Sequence, residues 1–171
     1  QYTPSGASSW TLYGDIEGEG ANDNRGFSVS LSADGKRLAI GAYKNDADGV
    51  QFQYGENSYN IGHTRIYEYS GGSWSQLGAD IDGEAQGDRS GYSVSLSSDG
   101  SRVAIGATSN DANGNSSGHT RIYQYSGGSW SQLGGDIDGA AENDNSGHSV
   151  SLSSDGTRVA IGAPYNDEGG S

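Results

Sequence analysis

The sequence predicts an all-β chain built of tandem four-stranded antiparallel blades of β-propeller type, incomplete at both ends. Three observations predict it. Ser70-Gly-Gly-Ser-Trp-Ser-Gln-Leu-Gly78 returns letter for letter over Ser126–Gly134, with Trp74 and Trp130 standing 56 residues apart, and self-similarity at such a period marks a repeat architecture. Short alternating runs of Val, Leu, Ile and Tyr are separated by glycine-rich punctuation, the pattern of half-buried strands joined by tight turns. Only 31% of the 171 residues are hydrophobic and 30 are glycine, which excludes a helical bundle or a large oily core.

In the best-formed unit the strands are expected near 91–97, 101–107, 118–125 and 129–137. Asp34-Gly35, Asp99-Gly100 and Asp155-Gly156 each separate the first two strands of a unit. Asp-Gly suits the positive φ angles of a tight hairpin, so these strands should pair antiparallel. Ser70-Gly-Gly-Ser73 and Ser126-Gly-Gly-Ser129 do the same for the third and fourth strands, and Trp74 and Trp130 open the fourth. The second strand, Val103-Ala-Ile-Gly-Ala107, presents apolar residues one way and small ones the other, as a strand between two sheets requires.

The units divide the chain into 1–25 (the last strand of a preceding blade and its loop), 26–90 (a first blade with an aromatic insertion at 50–61), 91–146 (a second blade) and 147–171 (the first half of a third). Gln1-Tyr2 aligns with Gln124-Tyr125, and Trp10 with Trp74. The third unit stops before its third strand. Such an open unit leaves strand edges for another chain, so the expected partners are copies of the same molecule, giving an oligomer or fibre, or the rest of a longer propeller.

With 22 acidic against 9 basic residues the net charge is -13, which repels phosphate backbones and anionic lipid and argues against nucleic acid as a partner. No apolar stretch is long enough to cross a bilayer, so no transmembrane segment is expected. The absence of cysteine removes disulfides, thiolate metal sites and cysteine nucleophiles together. An acidic surface rich in Ser, Gly, Asn and Asp fits an extracellular or cell-surface setting.

The unit resembles the FG-GAP repeat, the blade of the integrin alpha-subunit propeller and of bacterial and algal surface proteins. Gly26-Phe-Ser-Val29, Gly91-Tyr-Ser-Val94 and Gly147-His-Ser-Val150 match its first half, and Gly41-Ala-Tyr43, Gly106-Ala-Thr108 and Gly162-Ala-Pro164 its second. Asp46, Asp111 and Asp167 stand at the spacing of the family's aspartate, and His119-Thr-Arg-Ile-Tyr-Gln-Tyr125 is similar to its closing aromatic strand. Arg25, Ser90 and Ser146 replace the phenylalanine of the first motif, and a bare Asp-Gly turn stands where the integrin-type blade has its long calcium loop. The resemblance therefore implies a propeller and a surface-protein role, but not integrin-type calcium binding.

A separate cation candidate lies in the loop joining one unit to the next. Asp15, Glu17, Glu19 and Asp23 align there with Asp80, Asp82, Glu84 and Asp88, and with Asp136, Asp138, Ala140 and Asp144. Carboxylates gathered in a glycine-containing loop are what an oxygen-seeking cation such as Ca2+ requires. The competing reading has Asp23, Asp88 and Asp144 bonding backbone amides in the turn while the others are solvated. Asn45-Asp46, Asn110-Asp111 and Asn166-Asp167 are expected to close Asx-type turns after the second strand. His63, His119 and His148 are all explained by repeat position. Arg37, Arg102 and Arg158, with Arg65 and Arg121, recur with the repeat and should pair with its aspartates.

The insertion Val50–Ile61 breaks repeat symmetry. Phe52, Tyr54 and Tyr59 stand there among Gln, Asn and Glu, a composition suited to contacting a partner or a sugar face. Asn115-Ser116-Ser117 is an N-glycosylation sequon. No serine sits in a Gly-x-Ser-x-Gly elbow near an unrepeated histidine. The expectation is a non-catalytic extracellular module for surface adhesion or structural assembly, with a carbohydrate-binding module or glycan-active enzyme as the alternative.

Overall fold

A computed structural model describes residues 2–4, 10–12, 14–18, 20, 23–46 and 60–167. Among them every regular element is a strand. The order is β1 (Tyr2–Pro4), β2 (Trp10–Leu12), β3 (Ser28–Leu31), β4 (Arg37–Ala42), β5 (His63–Ser70), β6 (Ser73–Gln76), β7 (Ile81–Asp82), β8 (Ser90–Leu96), β9 (Arg102–Ala107), β10 (His119–Ser126), β11 (Ser129–Gln132), β12 (Ile137–Asp138), β13 (Ser149–Leu152) and β14 (Val159–Gly162).

The strands assemble into two full antiparallel sheets and two hairpins. The first sheet runs β3-β4-β5-β6 with β7 also on β5, the second runs β8-β9-β10-β11 with β12 on β10, and β1-β2 and β13-β14 stand as pairs. The expected meander is therefore present, with one refinement. The stretch read as a single fourth strand over 129–137 is broken after Gln132, and Ile137–Asp138 return to pair with the start of β10, His119 opposite Asp138. Gly134, at φ 82°, lies in the connection, a conformation that glycine adopts at little cost.

The two kinds of turn differ. Between β5 and β6, and between β10 and β11, both glycines have positive φ and Ser70 pairs with Ser73, Ser126 with Ser129, the two-residue turn with matching twist. At the Asp-Gly turns only Gly35, Gly100 and Gly156 have positive φ. There the aspartate keeps a negative φ and acts through its side chain. Asp99 Oδ1 accepts from the Ser101 amide at 2.9 Å and the Ser97 hydroxyl at 2.7 Å, and Asp34 and Asp155 repeat the bonds. The Ser97 hydroxyl, with the bonds from Ser101, holds the Asp99 carboxyl down to about 2.

The core lies between the first and second sheets. Ala39, Ile66 and Ile81 face Val94, Leu96, Val103 and Ile105, with Leu77, Tyr123 and Trp130 packed on the margin. Full burial of Val103 and Ala104 follows from the position of β9 between neighbouring layers. Gly41 and Gly106 are small because the next unit's backbone lies on them: a Cβ there would stand 2.0 Å from the carbonyl oxygens of Gly91 and Gly147.

Polar bonds repeat this joint at equivalent positions. The Ser28 hydroxyl donates to the Gly91 carbonyl at 2.8 Å and that of Ser93 to Gly147 at 2.7 Å. Ser30 and Ser95 accept from the amides of Leu96 and Leu152, both at 2.9 Å. Arg37 donates to the Gly100 carbonyl and Arg102 to that of Gly156. The turns are also joined, Ala33 N to Ser98 O at 2.8 Å and Ser98 N to Ser154 O at 2.9 Å.

Candidate functional site

The inter-unit loops hold most of the carboxylates, and their geometry starts from strand periodicity. On β5 and β10, residues two apart share a face, so His63 stands beside Arg65 and His119 beside Arg121. Both arginines reach forward into the loop that follows β6 or β11. Arg65 forks Asp80, its Nε at 2.8 Å from Oδ1, and Gln76 donates to the same oxygen. Arg121 forks Asp136 with Nε at 2.8 Å and Nη2 at 2.6 Å, Gln132 again assists, and Nη2 also contacts Glu84 of the preceding loop. The Arg121 bond, with that of Gln132, holds the Asp136 carboxyl down to about 2 against partial desolvation. At Asp80 burial pushes the other way, yet Arg65 and Gln76 prevail and its pKa is lowered.

The histidines complete these clusters. His63 and His119 are each 3% exposed. Their Nδ1 atoms lie 4.0 Å from Asp80 and 3.9 Å from Asp136. Burial, then the positive charge of Arg121, lowers the His119 pKa, while Asp136, Asp88 and Asp138 oppose the shift. The donor atoms of His63, Asp80 and Asp82 all fall within 4.8 Å of one another, as do those of Glu84, His119 and Asp136. These are mixed nitrogen and oxygen sets. In the second, the guanidinium of Arg121 already lies between the two carboxylates, so a metal ion would have to displace it.

The other loop aspartates bond the turn. Asp88 is 3% exposed and accepts from the Ala85 amide at 3.1 Å and the Asn110 side chain at 3.0 Å, and Asp144, 1% exposed, takes Ala141 and Asn166, both at 2.9 Å. Asp23 makes the same pair with Gly20 and Asn45. Asp15, Glu17 and Asp138 are exposed. Asp138 pairs opposite His119 in the strand register, as Asp82 does opposite His63. Asp46 and Asp111 cap their loops by accepting from the amides of Asn60 and Ser116.

Asn115 is exposed on its loop, whereas Ser117 of the sequon is fully buried, its hydroxyl donating to the Asn110 carbonyl. Phe52, Tyr54 and Tyr59 lie outside the described residues. A different aromatic group is visible, built on positions that stand in the sequence only as parts of the repeat. Phe27, Tyr43 and Tyr92 contact one another with centroids 4.6 to 5.4 Å apart, and His148 extends the row 5.1 Å beyond Tyr92. Phe27 is 50% exposed. The signal for this row was the residue after Gly26, Gly91 and Gly147, which is aromatic or histidine in every unit.

An open cleft of about 350 Å³ lies between the second sheet and β13-β14, lined by Arg102, Ile122, Leu133, Ile137, Leu152 and Val159 among others.

Neither a comparison with family sequence models nor one with curated proteins finds a match. Among solved structures, Kuenenia stuttgartiensis hydrazine synthase is similar over 80% of this chain at 12% identity, with a TM-score of 0.42, and the match spans 44% of that chain. At that level the similarity carries no argument about fold arrangement or activity. No helix among the described residues is long and apolar enough to cross a membrane.

Proposed function

We propose that the chain is a non-catalytic extracellular repeat module, made of propeller-type blades of the FG-GAP kind, that serves surface adhesion or structural assembly. One observation carries this reading: polar side chains at equivalent positions make equivalent bonds in successive units. Arg65-Asp80-Gln76 matches Arg121-Asp136-Gln132, Asp88-Asn110 matches Asp144-Asn166, and Ser28 matches Ser93. Groups engaged in holding each unit to itself and to the next have a structural use that accounts for their repetition. The acidic surface supports a secreted setting, and exposed Asn115 is a modification point consistent with it.

A second reading, glycan binding, is favoured by the row of Phe27, Tyr43, Tyr92 and His148, since aromatic rings next to polar groups suit sugar faces. Purified protein assayed against a glycan array and a panel of glycoside and ester substrates tests both. The module reading expects no turnover. Turnover abolished by Tyr92→Ala or Tyr54→Ala would overturn it, and glycan binding without turnover, lost in Tyr92→Ala, would favour the second reading.

A further inference from the structure

We infer that the open cleft is a socket for an aromatic hairpin, and that the β1-β2 hairpin of a second copy of the chain is its occupant. This rests on the repeat-module reading and identifies the partner and the contact. The two joints are equivalent in the repeat. Arg37, Ile66, Leu77, Ile81, Leu96 and Val103 at the first joint occupy the repeat positions of Arg102, Ile122, Leu133, Ile137, Leu152 and Val159 in the cleft. At the first joint, β10 and β11 cover this set. Tyr123 and Trp130 pack on the core, the Trp130 indole N–H donates to the Leu77 carbonyl at 2.8 Å, and Arg37 lies 5.6 Å over the Tyr125 ring.

The tryptophan seat is visible at three positions. Added at Gly14, a Cβ would lie 3.9 Å from Trp74, and at Gly78 it would lie 2.8 Å from Trp130. At Gly134 nothing comes within 4 Å. Leu133 beside it is 43% exposed, and Ile137 is 38% exposed against 6% for Ile81. Edge pairing shows the same difference: β4 and β9 each carry a third strand, whereas β14 pairs only with β13 among the described residues.

The β1-β2 hairpin has the register of what is needed. Tyr2 opposite Leu12, Thr3 opposite Thr11 and Pro4 opposite Trp10 reproduce Tyr123 opposite Gln132, Gln124 opposite Ser131 and Tyr125 opposite Trp130. This shifts the sequence alignment by two residues, matching Tyr2 to Tyr123 rather than to Tyr125. Charge is complementary too. Residues 1–24 carry Asp15, Glu17, Glu19 and Asp23 with no Lys or Arg, and the cleft presents Arg102 and Arg158. The hairpin precedes the first sheet and the cleft follows the second, so a contact between copies through them is head-to-tail.

Carrying the β9-β10 register across places Tyr2 opposite Val159 and Thr3 opposite Arg158. Directly opposed residues of an antiparallel pair come near enough for a disulfide, and the chain has no cysteine of its own. Thr3→Cys and Arg158→Cys chains should therefore be mixed under mild oxidation and compared with Thr3→Cys mixed with Ser75→Cys, a control on an exposed position. The expected result is a cross-linked dimer formed at least tenfold faster than in the control. In sedimentation, the native chain should run above monomer mass. Leu133→Glu in the socket and Trp10→Ala in the hairpin should each return it to monomer with unchanged far-ultraviolet circular dichroism. Cross-linking no faster than the control, a Thr3→Cys/Arg158→Cys chain that closes only on itself, or a native monomer at all concentrations would overturn the inference. A monomer that still binds a surface without turnover would do so while leaving the module reading intact, and substrate turnover would remove that reading whatever the cross-linking shows.

Discussion

Two joints of nearly identical sequence differ sharply in burial. Between the first and second sheets Ile81 is 6% exposed and Leu96 7%, while the equivalent Ile137 is 38% exposed and Leu152 is only half-buried. The residues are the same, and so are the serine and arginine bonds reaching forward to β13 and its turn. Among the described residues, the difference is that a third and a fourth strand cover the far side of the first joint and not of the second. A unit of this kind cannot bury its own apolar face, so its hydrophobic stabilisation is a property of the joint rather than of the repeat.

The largest effect should come from forcing the closed joint apart. Gly106→Ala would put a methyl group 2.0 Å from the backbone of Gly147, while at the equivalent Gly162 the nearest atom is the movable Ser149 hydroxyl. Gly106→Ala is expected to destabilise by about 3 kcal/mol or more, since overpacking against backbone has no rotamer escape, and Gly162→Ala by much less. Urea unfolding of both variants measures the contrast, and equal losses would break the comparison.

Next in size is the removal of apolar side chains. Ile81→Ala should cost about 2–5 kcal/mol, as for other buried Ile. Ile137→Ala should cost less than about 1 kcal/mol in a monomeric chain, because more of it already faces water. If the cleft is occupied by a second copy, the Ile137→Ala loss should grow with protein concentration, which sharpens the comparison.

A smaller effect concerns pH. The His119 pKa is lowered below the ordinary 6.5 by burial, so the unfolded chain binds its proton more readily, and stability should fall as pH drops below 6.5. Asp136 is lowered from 3.8 to about 2 chiefly by Arg121. Its contribution is present above 3.8 and is lost as pH falls toward 2. Melting temperature against pH should therefore show two declines, and His119→Gln should flatten the upper one alone. The smallest expected effect is that of calcium. With Arg65 and Arg121 already bonded to Asp80 and Asp136, melting curves in calcium and in chelator should coincide. A rise with calcium concentration would show linkage to a bound ion and break this expectation.

Much of the fold was legible because the same letters return in register. The strands of the second unit begin within a residue of where alternation and turns place them, and the Gly-Gly turns have the predicted geometry. The Asp-Gly turns were harder to read, since residue type alone does not separate a backbone role for aspartate from a side-chain one. Ser101 and Ser97, whose groups bond Asp99, decide it. The break after Gln132 was missed because Ile137 continues the apolar pattern although its partner is the start of β10. At the loop clusters the carboxylates were found from composition. The buried histidines beside them were set aside, although period two along His119-Thr-Arg121 places both side chains toward Asp136. The serines that join one unit to the next were not legible at all, since nothing local distinguishes Ser28, which reaches Gly91, from a solvated serine.

Three of the bonds at each joint also share a direction. Ser28, Ala33 and Arg37 donate forward to carbonyls of Gly91, Ser98 and Gly100, and Ser93, Ser98 and Arg102 donate forward in turn. The Leu96 and Leu152 amides donate the other way, to Ser30 and Ser95, so each unit carries a fixed pattern of donors and acceptors on its two flanks, like a tongue and its groove. A copied unit inserted in tandem would meet matching flanks on both sides without any new contact having to arise. The same matching ties neighbours together: a larger residue at Gly106 could be accommodated only by a change at Gly147, in the following unit, so variation at these positions should be paired across the joint.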